Sequence, residues 1–241
     1  MTVNHRANRF LAALDPDDFA VLEPHLEKAM LPRGTVLCET GATLRYAYFP
    51  HDSIVSLVAL MEDGASAEMA IFGREAAVGL VSALVTRKAF GRYIVQIPGT
   101  ASRIDIERLH EAISTRPNIQ RLVLHLTEAL MAQTLQTVAC NAVHSVEARC
   151  CRWILSTHDR LDQDELPLTQ EFLAEMLGVQ RSTVSTVIRT LQAAGLIRQG
   201  RGAITVVDRA GLERVACECY GKIRRRFERL LPAAYSVNYR A

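Results

Sequence analysis

The sequence lacks the features that would place the chain in a membrane, in a secreted form or in a familiar catalytic class. No apolar run reaches the about 18 residues that a membrane-spanning helix needs. The polar first ten residues do not resemble a signal peptide. We find no glycine-rich phosphate loop followed by lysine, no nucleophile elbow and no metal-spaced His/Asp set. We therefore expect a cytoplasmic protein that is not an enzyme, contacts no membrane and has neither catalytic nor metal-binding residues.

The overall composition is close to that of an ordinary globular protein. Hydrophobic residues make up 49% and charged residues 22% of the sequence. The length of 241 residues suffices for one large domain or two small ones. The cysteines fit a reducing compartment, where they commonly serve as small apolar fillers, and a thiol redox sensor is the alternative. The six cysteines are Cys38, Cys140, Cys150, Cys151, Cys217 and Cys219.

The net charge of +2 conceals an asymmetry along the chain. Residues 1–145 contain 13 basic and 15 acidic side chains, whereas residues 146–241 contain 15 basic and 11 acidic ones. Within residues 181–229 the basic side chains outnumber the acidic ones by 11 to 4. A basic block on a near-neutral body suggests a polyanionic partner, although a solvated charged face would give the same pattern.

Short runs rich in Val, Ile, Tyr and Phe alternate with turn residues in the first half of the chain. Many short strands at regular spacing are typical of an antiparallel sandwich or roll. Pro98-Gly99 separates the last two runs as a tight turn. The predicted strands are residues 35–38, 46–49, 53–60, 67–72, 93–97 and 100–104.

A long apolar-periodic stretch without Gly or Pro follows Arg116-Pro117 and extends to about Val143. Such a helix would span roughly 40 Å and carry more apolar surface than a small roll covers. We therefore expect one stripe to form a homodimer coiled coil, with packing on the chain's own roll as the alternative. A second stripe for the roll would contain Leu124, Met131, Leu135 and Val138. The predicted dimer stripe contains Ile119, Leu122, Leu126, Ala129, Gln133, Gln136, Cys140 and Val143.

The segment from residue 169 to residue 194 has the pattern of two helices joined by a sharp turn. Thr169 can cap the first helix, and Gly178 can end it in the left-handed conformation. The small Ala174 allows the second helix to cross closely, and Val184 faces the shared core. These features together predict a helix-turn-helix.

The second helix of this unit is amphipathic, and its outer side is polar. Arg181, Ser182, Ser185, Thr186 and Arg189 lie on that side, where we find no acid. Arginine can read guanine edges in a major groove, and hydroxyl groups can reach phosphates. Residues 196–207 then read as strand, glycine turn and strand, which predicts a wing with Arg198 and Arg201 near its tip.

The order and spacing of these segments resemble the Crp/Fnr family of bacterial transcription regulators over nearly the whole chain. The specific matches are residues 169–178, residues 181–185 and the Leu196-Ile197 entry to the wing. The resemblance implies an α+β fold with an antiparallel β-roll like that of cyclic-nucleotide-binding domains (1–116). A dimerisation helix and hinge (117–145) and a winged helix-turn-helix domain (146–241) would follow. It also implies a homodimer on near-palindromic double-stranded DNA, with RNA polymerase as a further partner.

The family's DNA contacts can be carried over to matching positions. The resemblance implies that Thr169 and Gln170 touch phosphates, that Arg181 reads a base and that Thr183 contacts the backbone. Ser182 and Thr186 replace an acidic residue and an arginine of the cyclic-AMP receptor, so we expect a different operator. The predicted DNA-binding set is Thr169, Gln170, Gln180, Arg181, Ser182, Thr183, Ser185, Thr186, Arg189, Arg198 and Arg201.

The residues that match the family's cyclic-nucleotide pocket lack most of its ligands. Ala77 stands where a glutamate would bind the ribose hydroxyl, and Arg87 matches the phosphate-binding arginine in one alignment only, because the other places Ala89 there. We therefore expect no cyclic nucleotide to bind and identify no cofactor. The candidate effector pocket is Ala76, Ala77, Gly79, Arg87 and Thr134.

Other sensors of the family are not supported by the sequence. Residues 1–30 contain no cysteine, whereas Fnr-like iron–sulfur sensing uses an N-terminal cluster. We expect His51, His110, His125 and His144 to be ordinary surface or interface residues. The spacings of Cys150-Cys151 and Cys217-x-Cys219 on predicted helices point their side chains apart, away from a shared zinc ion.

Two further interpretations remain open from the sequence. A predicted C-terminal helix at residues 211–231 could approach DNA or polymerase, or it could present a solvated basic face over Val215, Ile223 and Phe227. The alternative to DNA binding is a nucleotide-binding sensor that acts through protein contacts. The effector, the operator and the direction of regulation are not encoded in any recognisable motif.

Overall fold

A computed structural model of the chain describes residues 3–64 and 66–232. The ends of the first and last predicted domains, residues 1–2 and 233–241, lie outside the described residues. Within residues 3–64 and 66–232, no helix is long and apolar enough to cross a membrane. The architecture is the predicted α+β arrangement of a roll, a long helix and a winged unit.

The N-terminal part is a roll of two antiparallel sheets, with strand orders β1-β7-β3 and β2-β6-β4-β5. Pro98 separates β6 from β7 and marks the point where the chain passes from one sheet to the other. Two short helices, α1 (Arg9–Ala12) and α2 (Pro16–Leu22), precede the roll, and α3 (Leu80–Leu84) interrupts it. The strands are β1 (Glu27–Leu31), β2 (Val36–Cys38), β3 (Tyr46–Pro50), β4 (Ile54–Leu60), β5 (Ser66–Phe72), β6 (Arg92–Ile97) and β7 (Gly99–Asp105).

Helix α4 (Ile106–Thr115) leads into the long helix α5 (Pro117–Val143), close to the predicted bounds. The predicted faces of α5 are wrong at most positions, because the stripe assigned to a partner is buried within the chain itself apart from the half-buried Gln136 and the exposed Val143. Leu122 is partly buried, and Ile119, Leu126, Ala129, Gln133 and Cys140 are buried. The stripe assigned to the roll is the exposed one, since Leu124, Met131, Leu135 and Val138 are 54, 59, 63 and 64% exposed.

The C-terminal part is a compact winged helical unit. A three-stranded sheet with the order β8-β10-β9 closes it, and β8 is not among the predicted strands. The elements are α6 (Val146–His158), β8 (Glu165–Leu166), α7 (Gln170–Leu177), α8 (Arg181–Ala193), β9 (Ile197–Gln199), β10 (Ile204–Val206), α9 (Arg209–Val215) and α10 (Cys219–Leu230).

The single C-terminal helix predicted from the sequence is two helices, because the chain leaves helical geometry between Val215 and Cys219. Helix α10 packs along α5, with Phe227 buried and Ile223 packed against the core of the roll. The basic face of α10 therefore lies beside the long helix, and Arg226 comes within 3.8 Å of Glu128.

The winged unit is docked on the roll of the same chain. Trp153 Nε1 of α6 donates to Glu68 Oε1 of β5 at 2.9 Å. Arg160 forms a buried ion pair with Glu75 at 2.8 Å. Burial raises the pKa of Glu68, against the hydrogen bonds that it accepts. The two units thus share buried polar contacts, which fixes the orientation of the helix-turn-helix relative to the roll.

Candidate nucleic-acid interface

The helix-turn-helix is built by the local signals that the sequence contains. Thr169 Oγ1 accepts a hydrogen bond from the Phe172 amide at 3.2 Å and caps α7. Gly178 ends α7 with a φ of +63°, which a side chain would make strained. Ala174 and Val184 are buried where the two helices meet. The predicted cap, turn and core are therefore confirmed.

The outer side of α8 is open to solvent. Val184, Ile188 and Leu191 anchor its inner side in the core. Ser185 is half-buried, and Gln180, just before the helix, makes no capping hydrogen bond through its side chain. The exposed polar residues along this side are Gln180, Arg181, Ser182, Thr183, Thr186 and Arg189. Such a helix face is accessible to a major groove.

Gln170 links the first helix, the recognition helix and the wing. Its Oε1 accepts from Ser185 Oγ, and its Nε2 donates to Gln199 Oε1 at 2.9 Å. Gln192 of α8 accepts from the Gln199 amide at 2.9 Å. These hydrogen bonds hold α8 and the wing at a fixed relative position, so that both can address the same duplex.

An acidic residue lies beside the recognition face, contrary to the expectation of none. Arg181 Nε lies 3.0 Å from Glu171 Oε1, and both side chains are exposed. Glu171 belongs to α7, so a reading of α8 alone missed it. An exposed pair of this kind contributes at most about 1 kcal/mol and leaves Arg181 able to change partner.

The wing has the predicted form. Strands β9 and β10 pair antiparallel, and Gly202 turns between them with a φ of +76°. Arg198 and Arg201 are exposed on and beside this turn. Their position favours contacts to a phosphate backbone that flanks the groove.

The residues predicted for an effector pocket are occupied by contacts within the chain. Ala76, Ala77 and Gly79 are buried, and the Asn8 amide donates to the Ala76 carbonyl at 3.0 Å. Arg87 Nη1 pairs with Glu107 Oε1 at 2.5 Å. Thr134 Oγ1 donates to the Leu130 carbonyl of its own helix at 3.0 Å. This arrangement presents no side-chain acceptor at Ala77 for a ribose hydroxyl.

The six cysteines are all buried, but their surroundings differ. Burial raises the pKa values of Cys38 and Cys150, and it raises that of Cys151 to about 12. Burial likewise raises the pKa of Cys219 and raises that of Cys217 to about 12, so the cysteines differ in their neighbours rather than in the direction of these shifts.

The expectation that Cys217 and Cys219 point apart is wrong. Cys217 precedes α10 and Cys219 begins it, so the two do not share a regular helix. Together with Cys140 and His144 they place one ligand atom each within 4.8 Å of one another. Cys217 and Cys219 are only two residues apart in the sequence, and the fold brings Cys140 and His144 to them.

The geometry of the winged unit agrees with a known domain family. Residues 148–215 match the Crp-like helix-turn-helix domain. The resemblance to Crp/Fnr regulators predicted from the motifs is confirmed. No curated protein sequence matches the chain at a significant level.

Solved structures of bacterial regulators share the fold of about four fifths of the chain. FixK2 from Bradyrhizobium japonicum is 15% identical, with a TM-score of 0.69, over 80% of this chain and 98% of FixK2. A Crp-family transcriptional regulator from Thermus thermophilus is 20% identical, with a TM-score of 0.62, over 78% of this chain and 96% of its own. The c-di-GMP-responsive regulator CLP from Xanthomonas campestris is 19% identical, with a TM-score of 0.62, over 80% of this chain and 99% of CLP. At these identities the likeness concerns the fold.

Proposed function

We propose that the protein is a sequence-specific DNA-binding transcription regulator of the Crp/Fnr type. The observation that carries this proposal is the solvent-exposed polar face of α8, which lies beside a basic wing within a Crp-like domain. Arg181 and Arg189 would read base edges in the major groove. Thr169, Gln170, Arg198 and Arg201 would position the domain on the phosphates. This role places the protein in the cytoplasm, with DNA and RNA polymerase as partners.

The active form would be a homodimer joined along α5. Leu124, Met131 and Val138 are spaced seven residues apart, and Leu135 lies between them, so the exposed stripe has the spacing of a coiled-coil seam. An exposed apolar stripe of this kind marks an interaction surface. A two-fold pair of α5 helices would bury it and present two α8 helices to major grooves one turn, about 34 Å, apart.

The effector would not be cyclic AMP. A buried cyclic phosphate needs a cation and unpaired amides, and the ribose hydroxyl needs an acceptor. Arg87 is engaged by Glu107, and Ala77 has no acceptor on its side chain. A different signal would bias the two DNA-binding units between productive and unproductive spacings.

A salt titration separates this function from the alternative of a sensor that acts through protein contacts alone. Binding of a labelled genomic DNA pool is measured by fluorescence anisotropy at increasing salt concentration. We expect log K to fall linearly with log salt, with a slope of about −0.9 for each phosphate contacted. Absence of binding at low salt would exclude DNA as the partner.

A further inference from the structure

Four potential metal ligands converge at the junction between the long helix and the winged unit. Cys140 and His144 lie one turn apart at the end of α5, and Cys217 and Cys219 lie at the start of α10. The Sγ atoms of Cys140 and Cys217 are 3.5 Å apart. The distance from Cys219 Sγ to His144 Nδ1 is 3.6 Å.

These distances are those of ligands around one ion. Zinc binds sulfur at about 2.3 Å and nitrogen at about 2.0–2.1 Å in tetrahedral sites, which separates neighbouring ligand atoms by about 3.5–3.8 Å. All four ligand atoms lie within 4.8 Å of one another, so small adjustments of the side chains complete a tetrahedron. The ligands of an iron–sulfur cluster bind different irons and are held farther apart.

The groups around the four residues also suit a metal. His144 Nε2 lies 3.1 Å from Glu218 Oε2, so the carboxylate fixes the ring and leaves Nδ1 turned toward the thiols. The Gln136 amide donates to Cys219 Sγ at 3.0 Å, which is the kind of hydrogen bond that a metal-bound sulfur accepts. Carboxylate–histidine–metal arrangements and hydrogen bonds to ligand sulfurs are the usual outer contacts of metal sites.

We propose that Cys140, His144, Cys217 and Cys219 bind one zinc ion in a closed Cys3His site. Three of the six cysteines thereby have a chemical role, whereas Cys38, Cys150 and Cys151 lack a comparable set of neighbours among the described residues. The site takes a single thiophilic cation with tetrahedral preference, for which zinc is the prime candidate.

The position of the site gives the ion a regulatory consequence, which rests on the proposed function. His144 is followed directly by Ser145, which caps α6 and begins the winged unit. An ion held there ties the end of the long helix to the start of α10 across this hinge. Because metal binding stabilises only the folded arrangement, loss of the ion would loosen the winged unit from α5.

Cobalt titration of the reduced, chelator-treated full-length chain tests the site, because Co(II) reports tetrahedral thiolate ligation by its near-ultraviolet charge-transfer and visible absorption. We expect one Co(II) per chain and its displacement by one Zn(II). Cys140→Ser and Cys217→Ser should weaken cobalt binding at least tenfold, whereas the matched control Cys38→Ala should bind normally. Absence of stoichiometric binding, or wild-type spectra in both serine variants, would overturn the proposal.

Thermal unfolding with a chelator and chemical analysis of the isolated chain test the zinc site even if a variant folds poorly. Chelation should lower the Tm of the wild type and of Cys38→Ala but leave that of Cys217→Ser unchanged. Iron and sulfide in the chain as isolated, or a Cys140–Cys217 disulfide that persists as the only modification, would contradict a single-ion site. Cobalt binding without DNA binding would reject the proposed function alone, and DNA binding without cobalt binding would reject the zinc site alone.

Discussion

In the winged unit, the polar residues at the predicted interface point to solvent, whereas in the roll the residues at the family's ligand positions pack inside. Arg181 and Arg189 are exposed on α8, but Ala76 and Ala77 are buried. A surface that meets an outside partner leaves its polar groups accessible, whereas close-packed residues of a protein interior are not accessible to a ligand. The difference supports the proposal that the winged unit reads DNA and that the effector is not cyclic AMP.

The largest expected effect concerns α5, which joins the two units. The double substitution Met131→Glu with Leu135→Glu places like charges on the exposed stripe of each subunit. We expect sedimentation analysis to show monomers and operator affinity to fall at least a hundredfold, because two half-sites would no longer be bound together.

The matched control for this seam is Val85→Glu, since Val85 is an exposed apolar residue of the roll. It should leave the dimer unchanged. A dimer that survives the double substitution would show that the subunits meet elsewhere and that the exposed stripe of α5 is not the seam.

Arg181→Ala removes the predicted base reader from the open face of α8. Loss of a bidentate contact costs about 1–3 kcal/mol, so we expect about five- to 150-fold weaker operator binding and relaxed specificity at one base pair. Competition assays with single-base variants of the site measure both. Arg214→Ala is the control, because Arg214 is likewise exposed and paired with an acid; unchanged specificity for Arg181→Ala would remove this residue from the readers.

The wing arginines should affect all DNA sequences equally. Arg198→Ala and Arg201→Ala each remove one proposed phosphate contact, so the slope of log K against log salt should become shallower by about 0.9 per substitution. Binding isotherms on operator and scrambled duplexes at several salt concentrations measure this. Arg108→Ala, an exposed arginine of the roll, should leave the slope unchanged. A loss confined to the operator would instead assign the wing a base contact.

The smallest expected effect is a null response of the roll. Cyclic AMP should leave the Tm unchanged, whereas a ligand at a hundred times its Kd would stabilise the chain by about 2.7 kcal/mol. Differential scanning fluorimetry with operator DNA as a positive control makes the comparison. A saturable increase in Tm with cyclic AMP would show that the filled positions still form a working pocket.

The winged unit could be predicted from the sequence because its signals are local. The Thr169 cap and the left-handed Gly178 are set by chemistry within a few residues.

In the roll, strand β1 is absent from the strands predicted from the sequence. Glu27 and Lys28 give it a mixed, helix-like composition, and it is held by pairing with the distant β7.

The errors arose where distant packing decides the outcome. Helix α5 is apolar on more than one side, so the periodicity of its residues could not tell which stripe the roll would cover. No Gly or Pro marks the break before Cys219, and this break brings Cys217 and Cys219 to Cys140. Glu171 meets Arg181 only because α7 and α8 cross.

Selection of bound sites from random double-stranded DNA by the full-length chain tests the central claim most directly, because it reports function, symmetry and spacing together. The account predicts enrichment of a near-palindrome whose half-sites lie about one helical turn, 10–10.5 base pairs, apart. A pool without any enriched sequence, or a single half-site without symmetry, would contradict a dimeric regulator that reads DNA with α8.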